Sequence, residues 1–80
     1  MIAITVPAEL WSCVILPEGI LEKWLKPDGT LVEAGEPVAT VRIEDSLHDL
    51  TAPRDGWLTI DRPVNAVVEP GAIVGHIGTP

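Results

Sequence analysis

At 80 residues the chain reads as one domain, 1–80, near the lower limit of what a hydrophobic core stabilises unaided; its 46 % hydrophobic residues exclude a disordered tail, and seven Gly and eight Pro interrupt it too often for a helical bundle. A net charge of −7, twelve acids against five bases with no basic run, excludes a nucleic-acid backbone or an anionic membrane surface as partner and leaves a protein with a basic surface. The single cysteine, Cys13, excludes an internal disulfide and a cysteine zinc ribbon.

In chain order, Ile2, Ile4 and Val6 alternate with other residues and stop at Pro7, which predicts a first strand. The opening residues carry neither a basic n-region nor a long apolar h-region, and no apolar run reaches the ~18 residues of a membrane span, so a cytoplasmic chain is expected. Trp11 to Leu16 is apolar enough for a strand, ended by Pro17-Glu18-Gly19. Ile20 to Leu25 follows and ends at Lys26-Pro27-Asp28-Gly29, a strong turn signal. Leu31-Val32 is a short apolar pair, and alternation returns after Pro37 through Ala39, Val41 and Ile43. Leu47 and Leu50 flank His48-Asp49, a turn is expected at Ala52-Pro53-Arg54-Asp55-Gly56, and Trp57–Ile60, Val67-Val68 and Ala72–Ile77 complete the set. Short strands with turns between them predict a small all-β sandwich or barrel. Its core would be aliphatic, with Trp11, Trp24 and Trp57 as the large pieces; Trp11 would cap an open end or mark an exposed contact.

The octapeptide Leu31-Val32-Glu33-Ala34-Gly35-Glu36-Pro37-Val38 returns as Val67-Val68-Glu69-Pro70-Gly71-Ala72-Ile73-Val74. Val32/Val68, Glu33/Glu69, Gly35/Gly71 and Val38/Val74 are identical pairs at one constant offset. Each Gly is expected to supply the positive φ of a tight turn. Two equivalent halves related by a pseudo-twofold follow, joined by the segment Glu44 to Thr51 at a corner near the pseudo-axis.

With these residues in view, the sequence resembles the lipoyl domain of dihydrolipoamide acyltransferases and the related biotinyl carrier domains. The likeness runs through Ile4-Thr5-Val6-Pro7, Glu18 to Leu25, Asp28 to Val38, Ala52 to Gly56, Val67 to Gly71 and Val74-Gly75. It implies a flattened barrel-sandwich hybrid of two four-stranded sheets with pseudo-twofold symmetry. In that family an Asp-Lys-Ala turn joins the halves and its lysine carries lipoate, while biotinyl domains place Met-Lys-Met there. Counting from Gly35 forward or from Ala52 backward, without gaps, puts Asp45 at the lysine position, within Glu44-Asp45-Ser46. Both cofactors are held through an amide to a primary amine, which a carboxylate cannot supply.

The remaining candidates are weaker. Glu44, Asp45, His48 and Asp49 are metal-ligand types, but on an extended strand Asp45 and Asp49 share one face and His48 turns to the other, so no metal site is expected. Cys13 lies in an apolar run with no cation beside it and reads as a buried, inert thiol. His76 reads as a structural or surface residue, and Glu33 and Glu69 as solvated turn acids. Ser12 and Ser46 lack a Gly-x-Ser-x-Gly frame, and a filled barrel of this size leaves little room for a ~300 Å³ pocket, so no catalytic residues and no enzyme are expected. The expected function is a lipoyl-like domain without covalent cofactor. It would act as a non-catalytic protein-interaction module related to the carriers of 2-oxo acid dehydrogenase or carboxylase complexes. Its partner would belong to a dehydrogenase, carboxylase or ligase system and would bind the hairpin Glu44, Asp45 and Ser46. The alternative is an authentic lipoyl or biotinyl carrier modified at a non-standard lysine, Lys23 or Lys26.

Overall fold

The computed structural model describes residues 1–11 and 18–79. Among the described residues eight strands form: β1 Ile2–Thr5, β2 Gly19–Trp24, β3 Leu31–Val32, β4 Pro37–Ile43, β5 Ser46–Thr51, β6 Gly56–Ile60, β7 Val67–Val68 and β8 Ile73–Gly78. They build two four-stranded antiparallel sheets, β1-β8-β6-β3 and β5-β4-β2-β7, packed face to face as a sandwich. Short strands bounded by Gly, Pro and Asp turns can bury one face each, and the shared core follows from stacking those faces. Ile4, Val6, Leu21, Val32, Val38, Val41, Ile43, Leu58, Val68, Val74 and Ile77 are almost wholly buried in it.

The pseudo-twofold is present in the topology. Advancing each strand by half the set, so that β1 becomes β5 and β8 becomes β4, turns the first sheet order into the second. The backbone hydrogen bonds repeat in the same way. The Gly35 amide donates to the Ala52 carbonyl at 2.8 Å, and the Ala52 amide returns a bond to the Glu36 carbonyl at 2.9 Å. In the other half the Gly71 amide donates to Val6 at 2.8 Å, and Val6 returns a bond to Ala72 at 2.9 Å. Likewise Gly29 and Leu58 exchange bonds that prolong the β3–β6 pairing (Gly29 to the Leu58 carbonyl, Leu58 to the Thr30 carbonyl), and Asn65 and Leu21 prolong the β2–β7 pairing in the equivalent place. Two side chains add cross-links of their own: Asp28 Oδ1 accepts the Ile60 amide at 2.8 Å, and Asp55 Oδ1 accepts the Ala34 amide at 2.7 Å.

Three expectations need correction. Trp11 does not begin a strand; it ends a 3₁₀ turn, Ala8–Trp11, and the rest of the expected strand, with Ser12 and Cys13, lies outside the described residues. Trp11 is buried, its ring packed over Gly19 beside Ile43, so it closes the end of the core beneath the β4–β5 turn. Trp57 is not a core residue and stands 48 % exposed. Gly56 and Leu58 occupy the inward positions of β6, and the pleat therefore sends Trp57 outward. Trp24 is half-buried at the margin of the core, where its indole N–H donates to the Arg62 carbonyl at 2.9 Å.

Gly35 and Gly71 share nearly the same backbone, φ 84° and 83°, with open space where a side chain would stand. Gly56 is constrained differently. A Cβ there would lie 1.9 Å from the Gly78 carbonyl oxygen, because β6 meets β8 at backbone distance. Gly35→Val or Gly71→Val should therefore cost about 1–3 kcal/mol from backbone strain alone. Gly56→Ala, the smaller change chemically, should cost about 3 kcal/mol or more, since backbone must shift. Urea denaturation midpoints of the three variants check this order.

Candidate functional site

The junction of the two halves is a two-residue hairpin. Ile43 and Ser46 pair at its base, and Glu44-Asp45 makes the turn. Ile43 is fully buried and fixes where β4 ends; Glu44, Asp45 and Ser46 are all exposed. Glu44 takes φ 54°, at the turn position where two-residue hairpins require positive φ and usually employ Gly or Asn. Three polar residues between Ile43 and Leu47 thus stand clear of the sandwich, where a carboxylate keeps its hydration.

Around the turn, polar and apolar groups alternate across the sheet. Arg42 pairs opposite Leu47 and its Nε lies 3.5 Å from Glu22 Oε1. Thr40 is buried beneath and its hydroxyl donates to Asp49 Oδ1 at 3.4 Å. Leu47 is 61 % exposed, so the turn stands beside an uncovered leucine. His48 pairs opposite the buried Val41, whereas Asp49 pairs opposite Thr40 on the other face. Glu44, Asp45, His48 and Asp49 are not gathered, and among the described residues no three His, Cys, Asp or Glu are placed to hold a metal.

The chemistry of the donor set decides whether lipoate or biotin fits here. Asp45 at the turn offers a carboxylate, and no amine shares the hairpin. Lys23 lies within β2, opposite Thr40, rather than at a turn. Lys26 follows β2 and its Nζ is held 2.9 Å from Glu36 Oε2. Glu36 Oε1 also accepts the Glu33 amide at 3.0 Å, so this one carboxylate ties Lys26 to the β3–β4 turn. The hairpin itself thus offers no primary amine for an amide to lipoate or biotin, and the two lysines stand elsewhere, at Lys23 and Lys26.

Two features went unread in the sequence. His76 Nδ1 and Asp61 Oδ2 form a close pair on the other sheet, joining residues that only the β6–β8 pairing brings together. Two surface clefts open to solvent, of about 410 and 600 Å³, lie in pseudo-equivalent places over the turns. One is lined by Val67, Glu69, Gly71 and Ala72 with Arg62, the other by Leu31, Glu33, Gly35 and Glu36. Among the described residues no helix is long and apolar enough to cross a membrane. No protein-family model matches the chain, and no curated protein matches it.

The hydrogen bond from Lys26, with that from the Glu33 amide, holds the Glu36 carboxyl below the usual carboxylate range. Since the folded value lies below the unfolded one, the stability from this contact is in place above the unfolded value and is lost as pH falls through the folded one. Lys26→Met should raise the Glu36 midpoint toward that of an ordinary glutamate, read from its side-chain carboxyl ¹³C shift against pH. An unchanged midpoint would mean that the Glu33 amide alone sets it. Glu44→Gly should stabilise the fold by up to about 1 kcal/mol, the left-handed strain relieved less the chain entropy that glycine adds. Thermal unfolding of that variant is the check.

Proposed function

We propose that this chain is a lipoyl-like domain that carries no covalent cofactor and serves as a non-catalytic protein-interaction module. The observation that carries the reading is the hairpin: an exposed two-residue turn at the junction of two pseudo-equivalent halves, with Asp45 where the resemblance to lipoyl domains puts the modified lysine. A carrier that must hold its arm there needs an amine; a module that is only recognised needs an exposed surface of fixed shape. Glu44, Asp45 and Ser46 supply that surface, with Leu47 beside them. The partner belongs to a dehydrogenase, carboxylase or ligase system of the cytoplasm and meets the acidic turn with basic groups. With Arg42 engaged by Glu22, the turn carboxylates favour such a partner through long-range attraction more than through any single ion pair.

Two experiments test the reading. Intact mass of the protein purified from cells that make lipoate and biotin ligases should equal the sequence mass. A lipoyl or biotinyl increment would instead establish a carrier modified at Lys23 or Lys26. The triple variant Glu44→Asp, Asp45→Lys, Ser46→Ala rebuilds the family turn, and incubated with a lipoate ligase and lipoate it should gain the lipoyl increment while the parent stays unmodified. A folded variant that stays unmodified would separate this hairpin from the one such ligases read. In pulldowns from native extract, Asp45→Arg should lose the proteins that the parent retains.

A further inference from the structure

The four sheet edges are not alike. β3 and β7 are two residues long, and β1 is four residues with its register shifting between Ile4 and Thr5. β5 runs for six residues, and from Ser46 to Leu50 it pairs with β4 without a shift. Strand edges are normally blunted by brevity, a bulge, proline or lysine. The first three edges are short or bulged; β5 is neither, and it contains no Pro, Lys or Arg. Which of its backbone groups are free follows from the hairpin. Ile43 and Ser46 close the two-residue turn as a hydrogen-bonded pair, and bonded and non-bonded pairs alternate along an antiparallel ladder. Val41/His48 and Ala39/Leu50 are therefore bonded pairs, and the N–H and C=O groups of Leu47 and Asp49 point away from β4. Outside the ladders, no backbone bond among the described residues reaches Leu47 or Asp49.

The geometry points to the β5 edge as the place where an extended, basic segment of the partner adds as an antiparallel strand. On the reading of the chain as an interaction module, on which this inference rests, strand addition is how that partner binds. Leu47 and Asp49 each present one donor and one acceptor, the spacing that a peptide backbone completes. The partner residues opposite them lie two positions apart and share the outer face of the sheet. Leu47 is 61 % exposed and calls for an apolar neighbour. Asp49 is exposed, and its Oδ1 takes the Thr40 hydroxyl at 3.4 Å, which holds the carboxylate on that outer face. It calls for Lys or Arg. The turn and β5 together carry Glu44, Asp45 and Asp49 and no Lys or Arg. That charge attracts a basic segment and repels a second copy of this chain, whose net charge is −7.

The probe is an acetylated, amidated octapeptide, Thr-Val-Thr-Arg-Thr-Val-Thr-Arg, titrated into ¹⁵N-labelled protein to about 2 mM, the range of weak peptide binding. It should slow amide hydrogen exchange at Leu47 and Asp49 by about tenfold or more, while His48 and Leu50, already bonded to β4, change little. The same peptide N-methylated at its valines and arginines keeps its charge, cannot complete the bonds, and should protect neither residue. Asp49→Lys should weaken binding by about tenfold or more. Leu47→Pro removes an outward N–H and leaves the β4 ladder intact, so the variant should fold and lose the peptide. Leu47→Ala keeps that N–H and should retain protection at Asp49. No protection by the parent peptide, or equal protection by the methylated one, would overturn strand addition. In pulldowns from native extract, Leu47→Pro should lose the same proteins as Asp45→Arg. Their loss from Asp45→Arg alone would overturn strand addition and leave hairpin recognition standing. A lipoyl or biotinyl increment in the intact mass would instead overturn the interaction-module reading itself.

Discussion

Everything in this domain depends on a reciprocal clasp between its halves. The turn holding Gly35 is closed by both hydrogen-bonding groups of Ala52, and the turn holding Gly71 by those of Val6. Neither turn completes its own bonding from its own half. Buried backbone groups must find partners, so each half satisfies the other and neither is a folding unit alone. Small domains rarely gain enough from a core by itself, and most pairings here are long-range, which makes the fold all-or-none.

The clasp also explains why the glycines are where they are. Positive φ at Gly35 and Gly71 turns their amides toward the opposite half, and the two values agree within a degree. Gly19 and Gly56 open the pseudo-equivalent strands β2 and β6, and each leaves room for a backbone carbonyl, that of Arg42 or of Gly78. Side chains then exploit the approach unequally. Trp11 and Ile43 press on Gly19, while Ile77 and the Gly78 carbonyl crowd Gly56. Symmetry is thus kept in the backbone and broken in the packing.

Much of this was legible in the sequence, for physical reasons. The repeated octapeptide encodes the β3–β4 and β7–β8 turns, because a turn's φ requirement is local and glycine announces it. The polar triplet Glu44-Asp45-Ser46 between buried Ile43 and Leu47 announces an exposed hairpin in the same way. Trp57 was not legible. In Trp57-Leu58-Thr59-Ile60 both phases of the alternation are compatible with burial, and only the approach of Gly56 to Gly78, a long-range fact, selects Leu58. Trp11 misled because four residues after Pro7 suffice for a 3₁₀ turn and give no period to read. The His76–Asp61 pair depends on the β6–β8 register and has no local signature.

The hairpin shows how a fold and the chemistry of its exposed turn are separable. Its position is fixed from below by Ile43 and Trp11 and along its arms by the β4–β5 ladder, none of which involves the side chain at 45. The one local demand on the turn is the positive φ at Glu44, again a property of backbone. Replacing whatever stands at 45 therefore changes the chemistry offered to a partner while costing the sandwich almost nothing, as for any exposed turn residue outside the core. A scaffold so indifferent to the side chain at 45 would accept an amine or a carboxylate there alike. On the proposed function, the hairpin then offers a surface of fixed shape and negative charge, suited to recognition by shape and charge.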